Sequence, residues 1–431
     1  MTETGPQPPE SERLEPGPLP PDVEPVPPET QEPTASIAAR LAFWHRAGGI
    51  VTPIITALLA FAVGGLVVLA TGHNPLDTYK AIFNGAGLNW FFPWVHGVQR
   101  QTAAFNLQET GLLFIPLALT GLACAFAFRC GLFNIGGQGQ YIVGIVTGTQ
   151  VAVWFQSLPG PVHIFLAITC ATLAGAFWAG IAGILRATVG AHEVICTIML
   201  NWIAIWVGSY LIGFGGPFQD KSEVGVPVSR PITPNTHLPV FWGSPVLQGL
   251  DIGFFIALGA LVVYSLVLRR TTLGFEVRAV GFNPDAARNS GIPPARNYFL
   301  AMAISGAFAG LAGALDILGW QFRLDVTTVQ AASQIAFTGI AVALLGRNTA
   351  VGVFFSGFLF ASLINGTSSR NLDPSVFPPE LAGNLTRIIQ GLVVLFVGAD
   401  VLVLYIWHFL RKLRLRRAPP APTPAAPVVT Q

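Results

Sequence analysis

A chain of 431 residues with 52% hydrophobic residues, 10% charged residues and a mean hydropathy of +0.59 is too apolar for an ordinary water-soluble domain and reads as a polytopic membrane protein. A formal net charge of +2 provides no basic field for nucleic acid. The four cysteines, Cys124, Cys130, Cys170 and Cys196, lack CxxC or Cys/His spacing, so neither a disulfide framework nor a zinc site is indicated.

Residues 1–36 are dominated by Pro, Glu, Gln and Thr, hold almost nothing that can be buried, and read as a disordered cytoplasmic tail. The first apolar run starts only near Gly49, behind an acidic segment with no basic n-region, which argues against a cleavable signal peptide. Within 37–46, Ile37, Leu41 and Trp44 fall near one helical face beside Arg40 and Arg46, which suits an interfacial helix or a plain basic flank equally well. The membrane domain is read as 37–418, and 419–431 as a second disordered tail, rich in Pro and Ala.

Apolar runs long enough to cross about 30 Å of hydrocarbon fall near 49–71, 110–128, 138–156, 162–185, 194–214, 252–268, 298–318, 328–346, 349–367 and 384–406. The fold class is therefore all-α and polytopic, with about ten transmembrane helices. An even number of spans puts both termini on one side, and the basic run from Arg411 to Arg417 makes that side the cytoplasm. The same count places Arg129, Arg186 and Arg347 inside. Three long segments, 72–109, 215–251 and 368–383, then lie outside, where they can receive a partner or pack at the interface. Gly306 and Gly310 have the small-xxx-small spacing that lets helices approach closely.

The polar stretch 269–297 interrupts this series between two apolar runs. Asn283 can cap a helix, Pro284 fits its first position, Asp285 suits its positive end, and Gly291 followed by Pro293 and Pro294 stops it. The stretch predicts a short cytoplasmic helix of about two turns, a natural docking surface.

No GxxxxGK[ST] phosphate loop, HExxH pair or GxSxG elbow is present, so an enzyme reading is weak. Glu193, Asp316, Arg387 and Asp400 fall near expected span ends, which weighs against an ion-driven transporter needing charges deep in the bilayer. The intramembrane polar groups are instead neutral: Asn134, Gln138, Gln140, Asn201, Gln334, Thr338 and Asn365. Each must face a helix partner or a wet cavity, and as a set they suit an uncharged polar solute. Asn134, Gln138, Asn201, Gln334 and Asn365 are taken as the candidate substrate pathway.

Four stretches, GLFNIGGQGQ at 131–140, HEVICTIMLNW at 192–202, GFNPDAARNSGI at 281–292 with the following SGAFAGLAGAL, and ELAGNLTRIIQGLVVLFVGA at 380–399, carry a family resemblance. Over roughly 50–405 the chain resembles a permease subunit of bacterial ABC importers, in the branched-chain amino acid and monosaccharide permease superfamily, and most closely its nucleoside-type members. The resemblance implies a multi-pass inner-membrane subunit without a catalytic site or cofactor of its own. It implies cytoplasmic ATPase subunits that bind ATP-Mg, a second permease subunit, identical or homologous, and an extracytoplasmic solute-binding protein. The family's coupling helix then falls on 284–290, with Asp285, Ala286, Ala287 and Arg288 behind Asn283, and Gly281 and Gly291 at its bends. Relatives usually carry an acidic residue where this chain has Gln138, which weakens any solute inference from that motif. The expected solute is a nucleoside. A monosaccharide or branched-chain amino acid permease is the alternative within the superfamily, and an ion-coupled secondary transporter the alternative outside it.

Overall fold

The computed structural model describes residues 53–398 apart from 224, 245–248, 332 and 373–374, without the side chains of 331, 333, 334, 336, 379, 380 and 398. Both tails, Arg40, Arg46, Asp400 and the basic run 411–417 lie outside the described residues. Helices α1 (Pro53–Ala70), α2 (Pro75–Gly85), α3 (Gly97–Arg129), α4 (Gly137–Trp154), α5 (Gly160–Val189), α6 (Glu193–Ile212) and α7 (Gly253–Arg270) come first. They are followed by α8 (Thr272–Phe282), α9 (Pro284–Asn289), α10 (Pro294–Asp316), α11 (Val326–Ala331), α12 (Ser333–Leu345), α13 (Ala350–Gly366) and α14 (Pro379–Gly398). A two-strand hairpin, β1 (Val240–Trp242) with β2 (Leu250–Asp251), is the named sheet among the described residues.

The protein is all-α and polytopic, and within the described residues the predicted apolar runs lie in helices. Among the described residues, six helices are long and apolar enough to cross a membrane on their own: α1, α3, α5, α6, α7 and α10 with its extension to Gln321. Two departures from the sequence reading stand out. Helix α3 starts at Gly97 rather than near 110, because nothing in 98–109 breaks a helix; at 33 residues it runs roughly 50 Å, well beyond the hydrocarbon. The run predicted at 328–346 is divided between α11, packed on α6, and α12, packed on α3.

Burial separates core from lipid-facing helices. The apolar window of α3 is 89% buried, against 28% for α5 and 33% for α6. Helix α3 is therefore the axis, contacted by α7, α10, α12 and α13, while α5 and α6 turn Phe165, Phe177, Trp202 and Trp206 outward as a lipid-facing surface would. Small residues set the spacing. A Cβ on Gly144 would lie 2.6 Å from the Gly310 Cα, and one on Gly175 would lie 2.7 Å from the same atom, so α4, α5 and α10 meet backbone to backbone at Gly310.

Helix α10 does not stop cleanly. It runs into a π-turn over Ile317–Gln321 and ends at Phe322, whose φ of 56° is unusual for a side chain of that bulk. The segment after α6 straps this end down: the Ser229, Ile232 and Leu238 amides donate to the Leu324, Phe322 and Leu318 carbonyls at 2.7, 2.8 and 2.8 Å. The hairpin brings buried Asp251 against Gly319 of the π-turn.

Candidate functional site

The predicted pathway residues do not converge on one place. Asn134, Gln138 and Asn201 gather where the chain breaks between α3 and α4. Asn134 and Gln140 exchange amide hydrogen bonds at 2.9 and 3.0 Å, and Asn134 also donates to Ser305 Oγ at 2.7 Å and accepts from the Gly136 amide at 2.8 Å. Asn201 accepts from the Gly139 amide at 2.8 Å and donates to the Ile135 carbonyl at 3.0 Å, so it satisfies backbone groups freed at the start of α4. The hydrogen-bonding capacity of Asn134 and Asn201 is thus largely spent inside the protein. Buried Gln138 differs: its Nε2 has no partner among the described residues.

Asn365 stands elsewhere, on an open cavity of about 400 Å³ lined by α3, α10, α12, α13 and α14. That volume lies in the range of small-molecule sites, ~300–1,000 Å³. Leu113, Pro116, Leu117, Ile335 and Ile364 form its apolar wall, and Trp320 adds an indole. Thr338, Asn365, Ser368, Thr386, Gln390, Asp316, Arg370 and Arg387 contribute its polar groups. Gln334 is on α12 with Ile335 and Thr338, but its side chain is outside the described set.

Most of these polar groups are held in place. Asn365 donates to the Asn106 carbonyl at 2.7 Å and to Thr110 Oγ1 at 3.0 Å, and accepts from Asn371 Nδ2 at 2.8 Å. Arg370 pairs with buried Glu109 at 3.4 Å, which ties the end of α13 to α3. Thr367 and Thr386 share a hydrogen bond of 2.8 Å between α13 and α14. Gln390 makes no hydrogen bond among the described residues, which leaves its amide available to a solute.

Asp316 is the residue the sequence reading undervalued. Only 2% exposed, it accepts hydrogen bonds from Tyr141 Oη, Trp320 Nε1 and Gln321 Nε2, the last at 2.7 Å. The signal was present: an acid at the end of an apolar run, in ALDILGW, is a functional candidate by default. Counting it as a span-end charge hid that the strapped loop and the π-turn bury it. It lies 11 residues beyond Ser305 on the same helix, roughly 16 Å from the Asn134 cluster.

The stretch 281–291 folds as its residues dictate. Asn283 Oδ1 accepts from the Asp285 and Ala286 amides, both at 3.0 Å, and Gly291, with φ +82°, ends the helix while the Ile292 amide donates back to the Ala287 carbonyl at 2.9 Å. Helix α9 is six residues long, slightly shorter than predicted, with Ala287 buried and Asp285 and Arg288 exposed. Gly281 packs on the Arg129–Cys130 backbone at the end of α3, where a Cβ would lie 3.0 Å from the Cys130 carbonyl carbon. Glu276 of α8 reaches Asn297 at 3.3 Å and Arg296 at 3.9 Å, at the start of α10. The loop is thus seated on the two helices that line the cavity at Pro116 and Asp316.

Residues 106–398 match the family described as branched-chain amino acid transport system, permease component. The chain belongs to that family. The permease is 36% identical to the guanosine ABC transporter permease protein NupP of Bacillus subtilis, covering 85% of this chain and 98% of that one. It is 32% identical to the nucleoside ABC transporter permease protein NupB of Lactococcus lactis, covering 82% and 92%. It is also 36% identical to the glucose ABC transporter permease protein TsgB13 of Haloferax volcanii, covering 80% and 86%. As a member of this family the chain is a multi-pass inner-membrane permease rather than a catalyst.

Proposed function

We propose that this permease imports a nucleoside, as part of an ABC transporter powered by separate ATPase subunits. The observation that carries the reading is the near full-length similarity to guanosine and nucleoside permeases. The cavity chemistry supports it. A nucleoside joins a flat, weakly polar base to a sugar bearing hydroxyls. Trp320 and the leucines offer a face for the base, while Gln390 offers a free amide for its edge or the sugar, and Asn365 and Asp316, whose hydrogen bonds are made within the protein, fix the polar wall around it. A free sugar would use the amides equally well but would leave much of the apolar wall without a partner.

In this reading α9 docks on an ATPase subunit, a solute-binding protein delivers to the opposite face, and a second permease subunit completes the pathway. ATP-Mg is bound and hydrolysed by the ATPase subunits alone. Movement of α9 reaches the cavity along α3 and α10, because the loop is seated on the ends of both. The Asn134 cluster acts as the joint that keeps α3, α4, α6 and α10 together during that movement. Gln138, whose Nε2 has no partner among the described residues, is the member of the cluster left with a donor for a passing solute.

The test is reconstitution of the permease with its ATPase and binding-protein partners in proteoliposomes. ATP-dependent accumulation of labelled guanosine or another nucleoside is expected. Trp320→Ala should lower uptake about tenfold, the scale of one lost base–aromatic stack. Uptake of glucose but of no nucleoside, or nucleoside uptake by the permease alone driven by an ion gradient, refutes the proposal.

A further inference from the structure

On the side that carries α9, a second and smaller cavity of about 120 Å³ opens between the ends of α3 and α7, helix α8 and the start of α13. Three guanidinium groups line it, from Arg129, Arg269 and Arg278 on three different helices. No carboxylate lines it, and none of the three arginines forms an ion pair among the described residues.

The arginines are not equivalent. Arg129 spends Nε and Nη2 on the Asn348 carbonyl, at 3.1 and 2.7 Å, where Tyr264 Oη also donates at 2.8 Å. It thereby holds a turn in which Arg347 and Asn348 both have positive φ, 51° and 53°. Arg278 commits only Nε, to the Gly274 carbonyl at 3.1 Å. Arg269 makes no hydrogen bond among the described residues. The 17-residue helix α13 also begins at this cavity, adding the positive end of its dipole. Basic side chains near helix C-termini on the cytoplasmic side are ordinary; convergence on one concavity without a compensating acid calls for an anion.

The surroundings say which anion. The two helices flanking the opening show exposed apolar side chains on the turns that lead to it: Val262 and Leu266 on the last turns of α7, and Val351 and Phe355 on the first turns of α13. A cationic pocket at the end of two exposed apolar helix faces matches a phosphate attached to acyl chains.

We propose that this cavity binds the phosphate of an anionic phospholipid in the cytoplasmic leaflet, with the acyl chains along α7 and α13. Because Arg278 belongs to α8 and Gly281 of that helix rests on α3, a bound headgroup fastens the base of the α8–α9 loop to the bundle. The inference does not depend on which solute the permease carries.

The test uses the full chain in nanodiscs of phosphatidylcholine alone or with added phosphatidylglycerol. Bound lipid is counted by native mass spectrometry and the melting midpoint is recorded. The wild type is expected to retain phosphatidylglycerol selectively and to melt higher in its presence. Arg269→Gln with Arg278→Gln should weaken retention by about tenfold per guanidinium, the scale of a charge-assisted hydrogen bond, and remove the added stability. If that double variant does not fold, Arg269→Gln alone carries the test, since this exposed side chain makes no hydrogen bond that folding requires. Unchanged lipid retention in the variants overturns the proposal. So does equal stabilisation by inorganic phosphate in phosphatidylcholine discs, which would assign the site to a free anion.

Discussion

Replacing Asp251 with asparagine should reduce the pH dependence of stability expected of the wild type. The Asp251 side chain is fully buried beneath the outer strap, with Oδ1 accepting from the Gly253 amide at 2.6 Å and Oδ2 without a partner among the described residues. Burial pushes its carboxyl up to about 7, and the nearby Asp316 carboxylate adds to the effect. In the unfolded chain the same group titrates near ~4. Between ~4 and ~7 the folded protein therefore keeps a proton that the unfolded chain has released, so stability falls as pH rises through that window and is level outside it. At ~1.4 kcal/mol per tenfold change in proton affinity, the interval is worth roughly 4 kcal/mol at most. For a chain of this size that is a drop of a few degrees in melting midpoint between pH 5 and pH 8. Asparagine keeps the acceptor for Gly253 and removes the titration. Asp251→Asn should therefore show a smaller fall in melting temperature across the range, and melt above the wild type at pH 8. A wild-type midpoint that is level from pH 5 to pH 8, or a variant with an unchanged slope, refutes the reasoning.

Ala287→Pro places a ring in the middle of α9 at a cost of ~3 kcal/mol, and should abolish ATP-driven uptake while the bundle still folds and elutes as the wild type does. Uptake retained in that variant would remove α9 from the coupling path. Asn134→Ala strands the Gln140 amide in the core, costs about 1–3 kcal/mol, and should lower the melting midpoint more than it changes the apparent affinity for solute. Uptake kinetics beside melting curves separate the two effects. Gly310→Leu has no room against the Gly144 and Gly175 backbones and should prevent recovery of folded protein, read by size-exclusion chromatography.

Much of the architecture was legible because membrane burial constrains composition so strongly. Apolar runs marked helices, Gly306 and Gly310 marked a close contact, and Asn283 with Gly291 marked the caps of α9, each through a local rule. The site was less legible because an amide serves helix packing and solute binding with the same chemistry. Asn134 and Asn365 look alike in sequence; one locks a helix break and the other faces a cavity, and nothing in their neighbours distinguishes the two.

By itself, the sequence determined the helices, the caps of the short helix α9, the family and the absence of a phosphate loop, since each follows from residues adjacent in the chain. Only the tertiary structure decided that α3 is the axis, that Asp316 is buried under a strapped π-turn, and that Arg129, Arg269 and Arg278 share one cavity. These depend on which helices become neighbours, and that choice is made by side-chain volume and backbone approach between segments far apart in sequence, such as Gly175 against Gly310.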